Sequence, residues 1–435
     1  MATTAALPQR QRLWFRTLQT VHLWVGLILC LPLVVLGITG SILVFEHELQ
    51  DLASEPASPN LTIGTPQPLS AILAAAKAAA PAGTQPGFII LPEEAGKPVS
   101  VRLTAARPPG GGERGAGQAG PGQPGNGPAN GPGAQSPGQG PGAAPQPPQP
   151  QGPMGALQID PVSLTVLGTQ TQGDGFWRTV HMLHANALIR DRSGREIIGW
   201  LGVAMLVLGV SGLVIWWPRP GRWKAAFTVK SGARGVRLHR DLHGAVGIWS
   251  LVVFIIVTFS GVYLAFPQTL GDGVSAIFPA RDLRAPVTVE PVKGAKPLDI
   301  DAVADLARAA LPGATLRSVS PPARPNMAYR LSFAPAGHVH GAPMATVFVD
   351  PWAGRVVELR DPATYSLGET LLAWQRPLHA GEGLGPLWQW LVFLSGVLPP
   401  LFAVTGTAMW WLKRKARKTK DAERAAVLAR AAAAE

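Results

Sequence analysis

The sequence predicts a membrane protein: an all-α bundle of four transmembrane helices carrying two outward α+β modules, built by one internal duplication. Three observations predict it. Four stretches are apolar over roughly the 20 residues that a helix needs to cross a bilayer; they run about Val21–Phe45, Ile198–Trp217, His243–Phe266 and Leu387–Leu412. Lysine and arginine crowd the segments on one side of these stretches. The second half of the chain also repeats the first, span for span.

Residues 1–20 carry Arg10, Arg12 and Arg16 ahead of span 1. Span 1 is too long for a cleavable signal peptide, and Glu46, His47 and Glu48 follow it where small residues would mark a cleavage site. Between spans 2 and 3, residues 218–242 hold Arg219, Arg222, Lys224, Lys230, Arg234, Arg237 and Arg240 against the single acid Asp241. After span 4, residues 413–435 open on Lys413, Arg414, Lys415, Arg417, Lys418 and Lys420. All three segments fall on one side of an even-numbered bundle, and such clusters mark the cytoplasmic side. Both termini are therefore expected in the cytoplasm, with residues 46–197 and 267–386 outside. The net charge of +12 is accounted for by these topology signals. They point to a lipid bilayer as partner and away from nucleic acid. Cys30 is the only cysteine, so no intrachain disulfide can form.

Each outward segment reads as a small α+β module. In the first, "PLSAILAAAKAAAPAG" has helical composition, and "GFIILPEE", "PVSVRLTAAR" and "ALQIDPVSLTVLG" alternate as strands do. In the second the helix is "LDIDAVADLARAALPGA" and the strands are "AYRLSFAP", "ATVFVDP" and "GRVVELR". Both modules end on strand, Asp-Pro turn and strand, at Asp160-Pro161 and Asp350-Pro351. Residues 107–153, almost wholly Pro, Gly, Gln, Ala and Asn, interrupt the first module. Such a segment cannot bury a core and is expected to be disordered.

The duplication aligns "HLWVG" at His22 with "HGAVG" at His243, and the same displacement carries Gly26 to Gly247, Gly40 to Gly261 and Phe45 to Phe266. "MLHA" ending at Ala185 answers "PLHA" ending at Ala380, and "SGLVIWW" answers "TGTAMWW". Four histidines thus form two equivalent pairs. His22 and His243 lie toward the cytoplasmic ends of two spans, and His184 and His379 precede the other two spans near the outer interface. An imidazole in hydrocarbon is costly and calls for a partner. Gly26 and Gly247 each follow their histidine by one helical turn, on the same face. That leaves room for something flat and wide beside the ring, as a porphyrin is, and histidine is a common axial ligand of haem iron. Gly37, Gly40 and Gly261 are expected to serve only helix packing.

No cysteine cluster accompanies these histidines to suggest a transition-metal cage. Two imidazoles across a gap with apolar walls suit a six-coordinate haem b, and two such sites, one per leaflet, would conduct electrons across the bilayer. Arg178 and Arg376 beside one pair, and Arg237 and Arg240 beside the other, are candidates to pair with haem propionates. His239 and His181 lack histidine counterparts in the repeat, which has Leu18 and Arg376 at those places. His47 answers to Gln268, and His338 and His340 in "GHVHG" fall on a solvated loop.

"HLWVGL…TGSILVFEHEL", "LHRDLHGAVGIW", "SGLVIWWPR" and "PLHAGEGLG…TGTAMWW" together resemble the PepSY-associated transmembrane proteins, which include bacterial inner-membrane ferric-siderophore reductases. The resemblance covers all four spans, and both outward modules look like PepSY domains. It implies a haem-binding bundle of the bacterial inner membrane, with two haem b groups on His22, His243, His184 and His379. It implies also an oxidoreductase activity: a periplasmic ferric siderophore reduced for iron acquisition, with a quinol or a cytoplasmic reductase as donor. Two other functions remain open on the residues. One is a cofactor-free protein whose modules bind or regulate an envelope partner. The other is a small transporter, against which stand the absence of acids within the spans and their small number.

Overall fold

The computed structural model describes residues 9–53, 61–94, 96–105, 155–170 and 175–433, so the expected disorder over 107–153 lies outside the described residues. The chain opens with helices α1 (Gln9–Ile28), α2 (Cys30–Val44), α3 (Glu46–Ala53) and α4 (Leu69–Ala79). Strands β1 (Thr84–Ile90), β2 (Val99–Ala105), β3 (Ala156–Ile159) and β4 (Val166–Gln170) follow. Next come α5 (Gly175–Asn186), α6 (Arg192–Trp216), α7 (Trp223–Ala226), α8 (Gly235–Ala265), α9 (Pro267–Ile277) and α10 (Ile300–Ala310). Strands β5 (Thr315–Ser320), β6 (Tyr329–Ala334), β7 (Ala345–Asp350) and β8 (Arg355–Arg360) lead to α11 (Leu367–Ala380) and α12 (Pro386–Ala432). The chain divides into two compact units. A helical unit takes the described residues within 1–46, 180–270 and 375–435, and a sheet unit those within 47–179 and 271–374.

In the helical unit α6, α8 and α12 are each long and apolar enough to cross a membrane. The first expected span is different. It is two helices, α1 and α2, bent by 64° at a break at Leu29. Pro32 explains the break: it has no N–H to donate to the Ile28 carbonyl, and its ring clashes there. Helix α2 packs on α12, α12 on α8, α8 on α6 and α6 on α1. Small residues set the closest contacts, as membrane helices favour. A Cβ at Gly37 would overlap the carbonyl oxygen of Gly396, and a Cβ at Gly202 would lie 2.8 Å from Val262 Cγ2. Helix α12 continues far past the expected span end at Leu412, so the basic residues from Lys413 onward extend that helix.

In the sheet unit all eight strands form one antiparallel sheet in the order β4-β3-β2-β1-β5-β6-β7-β8. The two expected modules are thus mirror halves of a single sheet, joined where β1 pairs with β5 (Ile89↔Val319, Ile90↔Ser318). Alternation sends Ile89, Val99, Val101, Leu331, Phe333, Val347 and Val349 into one core with Ile72 and Ala76 of α4 and Val303, Ala304 and Ala307 of α10. Strand β5 escapes the sequence patterns, because "TLRSVS" is short, polar and broken by a bulge at Leu316/Ser318. The matching Asp-Pro turns are closed alike: Asp160 Oδ1 accepts the Val162 N–H at 2.9 Å and Asp350 Oδ1 the Trp352 N–H at 2.8 Å.

Two expected results follow for this unit. Phe333 is fully buried, so Phe333→Ala should cost about 3–5 kcal/mol, measured as a lowered thermal midpoint of the full-length protein in detergent. The buried carboxylate of Glu369 is hydrogen-bonded by Arg281 Nε and by the Ser366 N–H at 2.8 Å. The Arg281 bond lowers its pKa, burial opposes this, and the Ser366 N–H adds to the lowering. A lowered folded pKa contributes stability that is present above the ordinary value of 4.5 and is lost as pH falls through the folded value. Below about pH 4.5 the midpoint should therefore fall, and Glu369→Gln should flatten that part of the profile.

Candidate functional site

The helical unit brings the four expected histidines together in the two expected pairs. His22 of α1 faces His243 of α8, with ring centroids 6.4 Å apart. His184 of α5 faces His379 of α11, with centroids 6.0 Å apart. A metal ion held at about 2.0–2.1 Å by an imidazole nitrogen on either side sets two ring centroids about 6 Å apart. Both pairs meet that separation.

Hydrogen bonds decide which ring nitrogen is available. His184 Nδ1 lies 3.1 Å from the Leu36 carbonyl oxygen, and His379 Nδ1 lies 2.9 Å from that of Val257. A carbonyl only accepts, so Nδ1 carries the proton on both rings and Nε2 keeps its lone pair. His22 Nδ1 lies 2.8 Å from Ser211 Oγ, and His243 Nδ1 lies 2.8 Å from Thr405 Oγ1. Each hydroxyl donates its own proton to a carbonyl of its helix, Ser211 to Leu208 at 3.2 Å and Thr405 to Leu401 at 2.8 Å. The hydroxyls therefore accept from Nδ1–H, and the same tautomer results. Thr39 and Ser260 add hydroxyls at 3.1 Å and 3.3 Å from His184 and His379. A ring nitrogen held this way orients its partner toward a metal and raises its basicity.

A rule visible in the sequence, but not recognised in it, unites these contacts. Each histidine is met by a hydroxyl residue followed by glycine: Thr39-Gly40 for His184, Ser211-Gly212 for His22, Ser260-Gly261 for His379 and Thr405-Gly406 for His243. Gly40 and Gly261 are accordingly more than helix contacts, contrary to expectation. A Cβ there would stand 2.9 Å from His184 Cε1 and 2.8 Å from His379 Cε1, too close for either ring to stay in place. Gly212 and Gly406 leave more space, at 3.4 Å and 3.9 Å from the Cε1 atoms of His22 and His243. Gly37 does serve packing, against α12.

Gly26 and Gly247 border open space: a Cβ would meet only Leu208 at 3.8 Å and Phe402 at 3.9 Å. The Phe402 ring also lies 4.9 Å from that of His243. Of the expected anion partners, Arg237 and Arg240 both engage Asp241, at 3.4 Å and 3.2 Å, and Arg376 engages Glu382 at 3.5 Å. Arg178 is exposed on α5, six residues ahead of His184. His239 is set apart by a buried Nδ1 with no hydrogen-bond partner. Among the described residues no three His, Cys, Asp or Glu side chains gather into a metal-holding group. The donor set of each pair is two imidazoles.

The two units define a class: a membrane protein with several apolar helices, paired imidazoles among them, and a separate antiparallel sheet. Within that class the chain belongs to the PepSY-associated TM region family, which matches residues 19–413. No curated protein is found to match the chain.

Proposed function

We propose that this protein is a haem-b electron-transfer protein of the bacterial inner membrane that reduces a ferric siderophore outside the membrane. Its α1/α2 pair, α6, α8 and α12 would form a four-helix transmembrane bundle with both termini in the cytoplasm, and its sheet unit would be a fused pair of PepSY domains. One observation carries this reading: four imidazoles share one tautomer, with Nε2 lone pairs left over, in two pairs at the separation of a bis-imidazole metal site.

Haem b would be held by His22 and His243 at one site and by His184 and His379 at the other, two per chain, and would supply one-electron chemistry between Fe(III) and Fe(II). The chain's own residues hold and orient. The Ser211, Thr405, Leu36 and Val257 oxygens fix the rings. Two imidazoles at each site would both be iron ligands, which would favour electron transfer over small-molecule binding. Gly26 and Gly247 leave clearance for the macrocycle. Arg237, Arg240 and Arg376 would each have to leave a carboxylate to pair with a propionate. Hard oxygen donors prefer Fe(III) to Fe(II), so one electron delivered to the chelate loosens it, with a quinol or a cytoplasmic reductase as the source.

The test is a pyridine haemochrome assay on protein purified from haem-replete cells. Two haem b per chain, with a low-spin spectrum and reoxidation of the dithionite-reduced protein by a ferric siderophore, are expected. Colourless protein would overturn the proposal and leave a cofactor-free binding or regulatory role.

A further inference from the structure

The sheet unit carries a second histidine pair that the proposed electron path does not use. The turn between β6 and β7 holds His338 and His340 between Gly337 and Gly341, whose φ values of 73° and 77° lie in the left-handed region that glycine adopts without strain. A hydrogen bond from the His338 N–H to the Pro335 carbonyl, at 3.1 Å, closes the turn. It presents the His340 ring to His47, on the first turn of α3, with centroids 6.5 Å apart and planes at 84°. From the connection after β1, Glu93 reaches the same ring: its carboxylate oxygens lie 3.2 Å and 3.3 Å from His340 Nδ1. A deprotonated carboxylate only accepts, so Nδ1 carries the proton and Nε2 keeps its lone pair.

We infer that His47 and His340 form a binding site for a borderline divalent transition-metal ion, with Glu93 as the residue that positions His340. The centroid separation is again that of two imidazoles sharing one ion at about 2.0–2.1 Å from each nitrogen. A carboxylate on the far ring nitrogen is the recurrent support of metal-bound histidine. His340 and Glu93 are 66% and 55% exposed, so water reaches the site and completes the coordination sphere. Two imidazole nitrogens with water oxygens suit Cu(II) or Ni(II), and Cu(II) ranks tightest among the first-row divalent ions. The site occurs once: the repeat places Gln268 opposite His47. A bound ion would tie α3 to the β6–β7 turn, and it would do so whether or not the helical unit holds haem.

The test is titration of the full-length purified protein with Cu(II), followed by electron paramagnetic resonance and calorimetry, with haem content measured on the same samples. One saturable equivalent with two nitrogen ligands is expected. His47→Ala and His340→Ala should each abolish it. Glu93→Gln should weaken it about 10- to 100-fold. Haem content should not change in any of the three, which separates failure here from failure of the haem proposal. Binding that survives both histidine substitutions, or that is lost with His338→Ala alone, would overturn the inference.

Discussion

His22→Ala and His243→Ala should each lower the haem content from two per chain to one, and His184→Ala and His379→Ala should each remove the other haem. The expectation follows from the pairing. On the proposed ligation each site would draw its iron ligands from two helices, and a different helix fixes each ring of the first pair: Ser211 on α6 fixes His22 and Thr405 on α12 fixes His243. Removing one imidazole leaves one nitrogen donor and a hole where the second ring stood. Any fraction of haem still held by the surviving ring would be five-coordinate and high-spin, with an altered Soret band. Quantitative haemochrome assay gives the number lost, and the spectrum shows what form any residue takes. The two members of a pair must behave alike, and the two pairs must be independent. Loss caused by His22→Ala but not by His243→Ala, or loss of both haems from a single substitution, would contradict the pairing. Arg237→Ala and Arg240→Ala serve as controls. Both arginines are engaged with Asp241, so neither should remove a haem.

Much of this was legible in the sequence, and what was not has physical causes. The histidine pairs emerged because the duplication aligns His22 with His243 and His184 with His379. Hydropathy located α6, α8 and α12, because about 20 apolar residues carry a strong signal. The same signal hid the bend at Leu29: hydropathy averaged over a whole span barely registers one proline among leucines and valines. The joining of two modules into one sheet also escaped. Edge pairing of β1 with β5 is a long-range contact, and neither strand announces its partner. Nearness in sequence nominates Arg178, Arg237, Arg240 and Arg376, but it says nothing of the carboxylates Asp241 and Glu382 that engage the last three. The hydroxyl-glycine dipeptides stood in plain view. From the sequence alone Gly40 and Gly261 read as helix packing; only the fold shows that all four dipeptides meet a histidine.

That shared dipeptide gives a prediction that tells the two sites apart. Gly40→Ala and Gly261→Ala should impair haem binding at the His184/His379 site, whereas Gly212→Ala and Gly406→Ala should leave the His22/His243 site close to normal. The chemistry of the four dipeptides is the same, but their clearances differ. A methyl group at Gly40 or Gly261 would stand 2.9 Å or 2.8 Å from the imidazole Cε1, and something must move. The helix backbone cannot yield cheaply, so the ring must. His184 and His379 are each tied by Nδ1 to a main-chain carbonyl, Leu36 and Val257. A displaced ring either stretches that bond or turns Nε2 off the line to its partner. Overpacking of this kind costs about 1–3 kcal/mol, or roughly 5- to 150-fold in affinity at that site. At Gly212 and Gly406 the methyl would sit 3.4 Å and 3.9 Å from the rings, near ordinary contact, and small adjustments absorb it. Haem dissociation rates of the four variants, measured by transfer to an excess of apo-myoglobin, make the comparison. Two fast and two near-native rates, divided by site, are expected. Equal rates in all four would mean that these glycines serve helix contact alone and that the rings are placed by their hydrogen bonds without them.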